Sequence, residues 1–102
     1  MTRFVQIIDF RTSRFDEVQT LGDAYRAARA AEGGTAVVRA VLTEDRDEPG
    51  HFLNIVEFDS YESAMENSAR PETDAFAAQL AALCDEPPTF VNLDVRLTWD
   101  DD

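Results

Sequence analysis

The sequence predicts a single α+β domain over residues 1–102 in the ferredoxin-like βαββαβ order, with a four-stranded antiparallel sheet and two helices on one face. Three observations carry that reading. The hydrophobic period switches between two and 3.6 residues in the order strand, helix, strand, strand, helix, strand. A chain of 102 residues with 44% hydrophobic content suffices for one core. Only two helical segments are available, too few to bury both faces of a four-stranded sheet.

The first strand is residues 3 to 10 (RFVQIIDF), with Phe4, Gln6, Ile8 and Phe10 on one face and Val5 and Ile7 on the other. From Ser13, a candidate N-cap, to about Glu32 the period becomes helical through Phe15, Val18, Leu21, Tyr25 and Ala28, and Gly33-Gly34 is a stop signal. Thr35 to Glu44 returns to β-branched residues, Asp45 to Gly50 reads as a hairpin loop, and His51 to Asp59 is the third strand. Ser60 caps a second helix. Proline is tolerated in a first helical turn and damaging deeper inside, so Pro71 predicts a two-piece helix kinked over Asn67 to Pro71. Phe76, Leu80 and Leu83 continue its buried stripe, Pro87-Pro88 ends it, and Thr89 to Trp99 alternates as the last strand.

Strands one to three carry apolar residues on both faces: Val5 and Ile7 against Phe4 and Ile8, Val37 and Val41 against Val38 and Leu42, Leu53 and Ile55 against Phe52 and Val56. An uncovered apolar sheet is rarely left in water, so a second copy is expected to cover it, giving a homodimer through the sheet face. The net charge is −12, and all nine basic residues are arginine. That balance argues against nucleic acid and against anionic membranes as partners, since both need a basic footprint. Salt adaptation and a GC-rich genome both account for the missing lysine. The terminal Asp100 to Asp102 is expected to be a solvated tail. With one cysteine, Cys84, no internal disulfide forms, and no charged-then-apolar leader is evident, so a cytoplasmic protein is expected. No apolar run approaches the roughly 20 residues of a membrane span.

The segment FLNIVEFDSYESAMENSARPET (Phe52 to Thr73) and the ending LCDEPPTFVNLDV (Leu83 to Val95) resemble the antibiotic biosynthesis monooxygenase-like, dimeric α/β-barrel superfamily. The most specific part is Phe58, Asp59, Ser60 followed by an acidic, alanine-bearing helix that breaks at Pro71. The resemblance covers nearly the whole chain. It implies a dimeric α/β barrel with the ligand held between sheet and helices. The superfamily includes cofactor-free oxygenases, haem-degrading enzymes, isomerases and members without known activity. Members that oxidise polyketide phenols carry an asparagine on the third strand and an aromatic residue, usually Trp, four positions on. Asn54 and Phe58 match that spacing, although Phe lacks an indole N–H to donate. The haem-degrading branch uses a histidine on the second helix, and none lies between Ser60 and Cys84, so no cofactor is expected.

Asn54 interrupts the apolar face of Phe52, Val56 and Phe58, where an unbonded amide costs about 1–3 kcal/mol. Either it holds a phenolic or enolic oxygen of a substrate, or it bonds a neighbour. Gln6 shares that face and could stand about 5 Å from it across the sheet. Phe58, about 13 Å along the strand from Asn54, would flank a ring-sized ligand. Tyr25 could offer a hydroxyl or pack in the core, and Arg70 could stabilise an anion or pair with Glu72 or Asp74. Tyr61 is expected at the surface and Cys84 buried as a small apolar side chain. Parity places His51, the single histidine, on the face opposite Asn54. One His with a distant Cys shows no metal-ligand spacing, so no protein metal site is expected. The function the resemblance implies is a cofactor-independent monooxygenase-like or isomerase-like enzyme acting on an aromatic or polyketide-type small molecule. The alternative is a non-catalytic dimeric protein that binds a small apolar molecule or serves as a stress or accessory protein.

Overall fold

In a computed structural model describing residues 3–31 and 37–99, four strands form one antiparallel sheet in the order β2-β3-β1-β4. The elements are β1 (Phe4–Arg11), α1 (Phe15–Ala31), β2 (Val37–Glu44), β3 (His51–Phe58), α2 (Tyr61–Ser68), α3 (Pro71–Leu83) and β4 (Thr89–Asp94). The expected Gly33-Gly34 stop, the start of the second strand at Thr35 and the Asp100 to Asp102 tail lie outside the described residues.

Helix ends follow local chemistry. Ser60 has extended backbone and its hydroxyl accepts the Ser63 N–H, so it caps α2. Pro71 occupies the first turn of α3, where its missing N–H leaves no bond unmade, and the second helix is two pieces. The start of α1 differs from expectation. Thr12, not Ser13, accepts the Arg14 N–H at 2.9 Å, and the same hydroxyl donates to Leu83 O at 2.7 Å. A buried hydroxyl that serves two helix ends is worth more than an exposed one serving one. The stripe of α1 also ends differently: Ala28 is exposed and Arg29 is buried.

Two corrections concern strands. The last strand stops at Asp94 rather than Trp99, because Asp94 pairs with Phe4, the first residue of β1. Beyond it the Val95 N–H donates to Arg3 O, and Leu97 and Trp99 are 65% and 79% exposed. A register shift between Val37 and Arg39 then separates Val37 from Val41. Val37 stands opposite Phe58 on the helix side and Val41 opposite Ile55 on the other face, where strict alternation had put them together.

The core is two clusters under the helices. Phe4, Val56, Phe58 and Ala64 form one; Phe10, Val18, Phe52 and Leu80 form the other, and Ile8 touches both. The opposite sheet face carries Val41, Ile55, Val91 and Leu93, all exposed large hydrophobics. Among the described residues no helix is long and apolar enough to cross a membrane.

Candidate functional site

On the helix side, β1 and β3 meet in four rows: Phe4 with Phe58, Gln6 with Val56, Ile8 with Asn54, and Phe10 with Phe52. Aromatic side chains close the two end rows. Tyr61 sets its ring edge on Phe4 at 5.4 Å, and Phe15 stacks on Phe52 at 4.6 Å. The two middle rows hold smaller and polar residues that do not fill the space beneath the helices. A cavity of about 590 Å³ remains there, lined by Gln6, Ile8, Asn54, Val56 and Phe58 from the sheet and by Gly22, Tyr25 and Arg29 from α1. That volume suits a small organic ligand, for which pockets run to about 300–1,000 Å³.

Asn54 is half-buried in this wall, and no described residue hydrogen-bonds its amide. Gln6 lies one row away, its amide nitrogen donating to Asn92 on β4 at 3.0 Å, so the two amides share the cavity without bonding each other. Phe58 is buried at the end of the cavity. The Tyr25 hydroxyl is paired with the Thr73 hydroxyl at 2.7 Å and its ring packs on Phe76 at 4.6 Å, which ties α1 to α3. Arg70 is not among the lining residues and lies 3.3 Å from the Glu72 carboxylate. Tyr61 is exposed while its ring rests against Phe4, and Cys84 packs at the edge of the second cluster, where burial pushes its thiol pKa up. His51 stands on the open face and bonds Asp9, which raises its pKa against the opposing effect of burial.

Sequence reasoning missed Arg29. It is 5% exposed, its guanidinium donates to Asn67 Oδ1 at 3.1 Å, and it places a permanent positive charge in the cavity wall. The signal was present in the helical phase: Val18, Gly22, Tyr25 and Arg29 recur at four, three and four residues, so the arginine continues the inward stripe. The other charged lining residues, Arg26 and Asp74, are exposed at the mouth. The break between α2 and α3 explains the polar rim, because it turns Asn67 and Ser68 from one helix end and Thr73 and Asp74 from the other toward the same opening. The arrangement sets the Asn54 amide and the buried Arg29 guanidinium in the wall of one cavity that Phe58, Phe76 and Phe90 also line.

No family model matches the sequence, and no curated protein matches it. Solved structures do. SnoaB, a cofactor-independent oxygenase from Streptomyces nogalater, aligns over 99% of this chain and 100% of its own at 19% identity and a TM-score of 0.75. Rv0793 from Mycobacterium tuberculosis aligns over 97% and 99% at 20% identity and 0.73. A structure described as an antibiotic biosynthesis monooxygenase aligns over 93% and 99% at 21% identity and 0.70. Coverage of whole chains on both sides, with the sheet order and helix break already described, identifies the architecture: this chain has the fold of the antibiotic biosynthesis monooxygenase structures.

Proposed function

We propose that the protein is a cofactor-independent monooxygenase acting on an aromatic or polyketide-type small molecule held between the sheet and the helices. The observation that carries this reading is an unbonded amide, Asn54, in the wall of a largely apolar cavity that also holds a buried arginine. An amide N–H and a fixed positive charge favour the ionised form of a phenol or enol, and they act strongly where water is excluded. Such an anion is electron-rich enough to reduce dioxygen itself. For a substrate methylene the balance closes without a cofactor: CH2 plus O2 gives C=O plus H2O, with all electrons drawn from the substrate. The proton given up on ionisation passes to the mouth, where Asp74 lies, and returns in the water formed. SnoaB, named as a cofactor-independent oxygenase, supports the reading by likeness of fold.

A second reading, a non-catalytic binding protein, is favoured by the absence of histidine and of any buried carboxylate among the described lining residues. Initial oxygen uptake with hydroquinones and polycyclic phenols, compared between wild type and Asn54→Ala, separates the two. Uptake above the uncatalysed rate that falls in the variant supports the oxygenase. Equal rates, or none in either protein, overturn it, and saturable binding without uptake supports the second reading.

The active unit in this proposal is a homodimer. Exposed Val41, Ile55, Val91 and Leu93 share the face that the helices leave uncovered, and a second copy would bury them. A monomeric mass in solution at micromolar concentration would contradict it.

A further inference from the structure

At the other end of the sheet, on the face away from the cavity, the β2–β3 hairpin loop builds a cluster with no part in the chemistry proposed above. The His51 side chain is 13% exposed, and its two ring nitrogens have different surroundings. Nε2 lies 2.8 Å from Asp9 Oδ1 on β1. Nδ1 faces Asp45 Oδ2 at 3.4 Å and Glu48 Oε2 at 3.2 Å, yet it is buried and makes no hydrogen bond. One donor atom from each of Asp45, Glu48 and His51 lies within 4.8 Å of the others.

We propose that Asp45, Glu48 and His51 bind one divalent transition-metal cation of the Zn²⁺ or Mn²⁺ class, with Nδ1 of His51 as the nitrogen ligand and Asp9 as its orienting partner. Donor spacing is the first argument. A cation bonded at about 2.1 Å separates neighbouring ligands by about 3.0 Å in octahedral and about 3.4 Å in tetrahedral coordination. The two spacings from His51, 3.2 and 3.4 Å, fall in that interval, and the Asp45 and Glu48 oxygens lie within 4.8 Å of each other, a gap that a small side-chain rotation closes. The second argument is the Asp9 contact. A carboxylate that accepts the Nε2–H sets the tautomer with its lone pair on Nδ1, the arrangement in which metal-bound imidazoles are usually held.

The loop is also pre-organised, which lowers the cost of assembling the ligands. Asp45 Oδ1 accepts the Asp47 N–H, leaving Oδ2 toward His51, and the His51 N–H donates to Glu48 O. Gly50, at φ +91°, makes the tight return that brings the histidine back over the acidic residues. Arg11 competes for Glu48 Oε2 at 3.3 Å, but it has a second carboxylate in Glu86 at the same distance and can release Glu48 to a cation. One imidazole nitrogen beside carboxylate oxygens suits Zn²⁺, and the oxygen-rich remainder also admits Mn²⁺, whereas Mg²⁺ and Ca²⁺ prefer all-oxygen shells. This site differs from the sequence expectation of no metal site, because that expectation weighed only His and Cys.

His51 is the single histidine, so its imidazole can be followed in the intact chain by ¹H–¹⁵N long-range spectra without ambiguity. Zn²⁺ and Mn²⁺ are titrated by calorimetry into the metal-stripped chain in a non-coordinating buffer, with Mg²⁺ as a control, and Zn²⁺ is followed by the imidazole spectra. The expected result is one equivalent per chain, a shift of Nδ1 rather than Nε2, and at least tenfold weaker binding in Glu48→Gln. Glu48 is exposed, so that variant tests the site without endangering the fold. Asp9→Asn is expected to weaken binding about 10–100-fold as a positioning residue. Binding in Glu62→Gln, an exposed carboxylate elsewhere, is unchanged. Absence of binding at millimolar Zn²⁺ and Mn²⁺ would overturn the proposal. So would several weak equivalents insensitive to Glu48→Gln, or binding that leaves Nδ1 unmoved, since each means diffuse attraction to an acidic surface.

Discussion

Replacing Asn54 by leucine keeps the number and branching of its side-chain heavy atoms, adds bulk that the adjoining cavity can take up, and removes the amide, so it separates a ligand-holding residue from a structural one by the sign of its effect on stability. Burying an unbonded amide costs about 1–3 kcal/mol. Asn54 is half-buried, so relief of roughly half that amount, about 0.5–1.5 kcal/mol, is expected on substitution. At about 4–8 °C per kcal/mol for a domain of this size, the melting temperature should rise by several degrees. Function should move the other way. A hydrogen bond to an ionised oxygen contributes about 1.5–3 kcal/mol, and each 1.4 kcal/mol is about tenfold, so ligand affinity or oxygen uptake should drop about 10–100-fold. Urea denaturation and initial oxygen uptake on the same preparations measure both arms. If Asn54→Leu instead destabilises by 1 kcal/mol or more, the amide holds the protein together, and its place in the ligand site is refuted.

Three further outcomes follow from the geometry. A Cβ on Gly22 would meet nothing within 4 Å, so Gly22→Ala should stabilise by about 0.5–1 kcal/mol, whereas Gly22→Phe should fill the cavity and abolish small-molecule binding while the fold persists by circular dichroism. Thr12→Val removes the bond to Leu83 O and the acceptor for the Arg14 N–H, and should cost about 1–2 kcal/mol in urea denaturation. With a chelator present, the raised pKa of His51, caused first by the Asp9 hydrogen bond, predicts a stability contribution that is full below the ordinary histidine value of about 6.5. That contribution is lost as pH rises through the elevated folded value. Denaturation curves from about pH 6 upward should show the decline, and His51→Gln should remove it.

Much of the architecture was legible because each element is marked by a local property. The two-residue alternation of Phe4 to Phe10, the 3.6-residue stripe of α1, the Ser60 cap and the Pro71 break all act within one or two turns of chain. Sequence alone also showed that two helical segments leave a sheet face uncovered, and that Asn54 shares a face with Gln6 and not with His51. Where the pattern was ambiguous, the reading failed. In VVRAVL both faces are apolar, so alternation carried no register and the shift at Val38 was invisible. Residues 95–99 alternate well, yet β1 begins at Phe4, and a strand ends where its neighbour does.

The cavity and the histidine cluster belong to tertiary structure for the same physical reason. A cavity is the volume that several elements fail to fill, so it depends on aromatic pairs closing rows at both ends of the sheet and on Gly22 opposite them. Arg29 entered it through helical phase combined with where α1 crosses the sheet, which composition does not reveal. Asp45, Glu48 and His51 are near in sequence, but the Asp9 carboxylate that orients the imidazole comes from β1, 42 residues away. The β1–β3 register, pairing Arg11 with His51, puts it there. Local periodicity decides which elements form, and only their packing decides what remains between them.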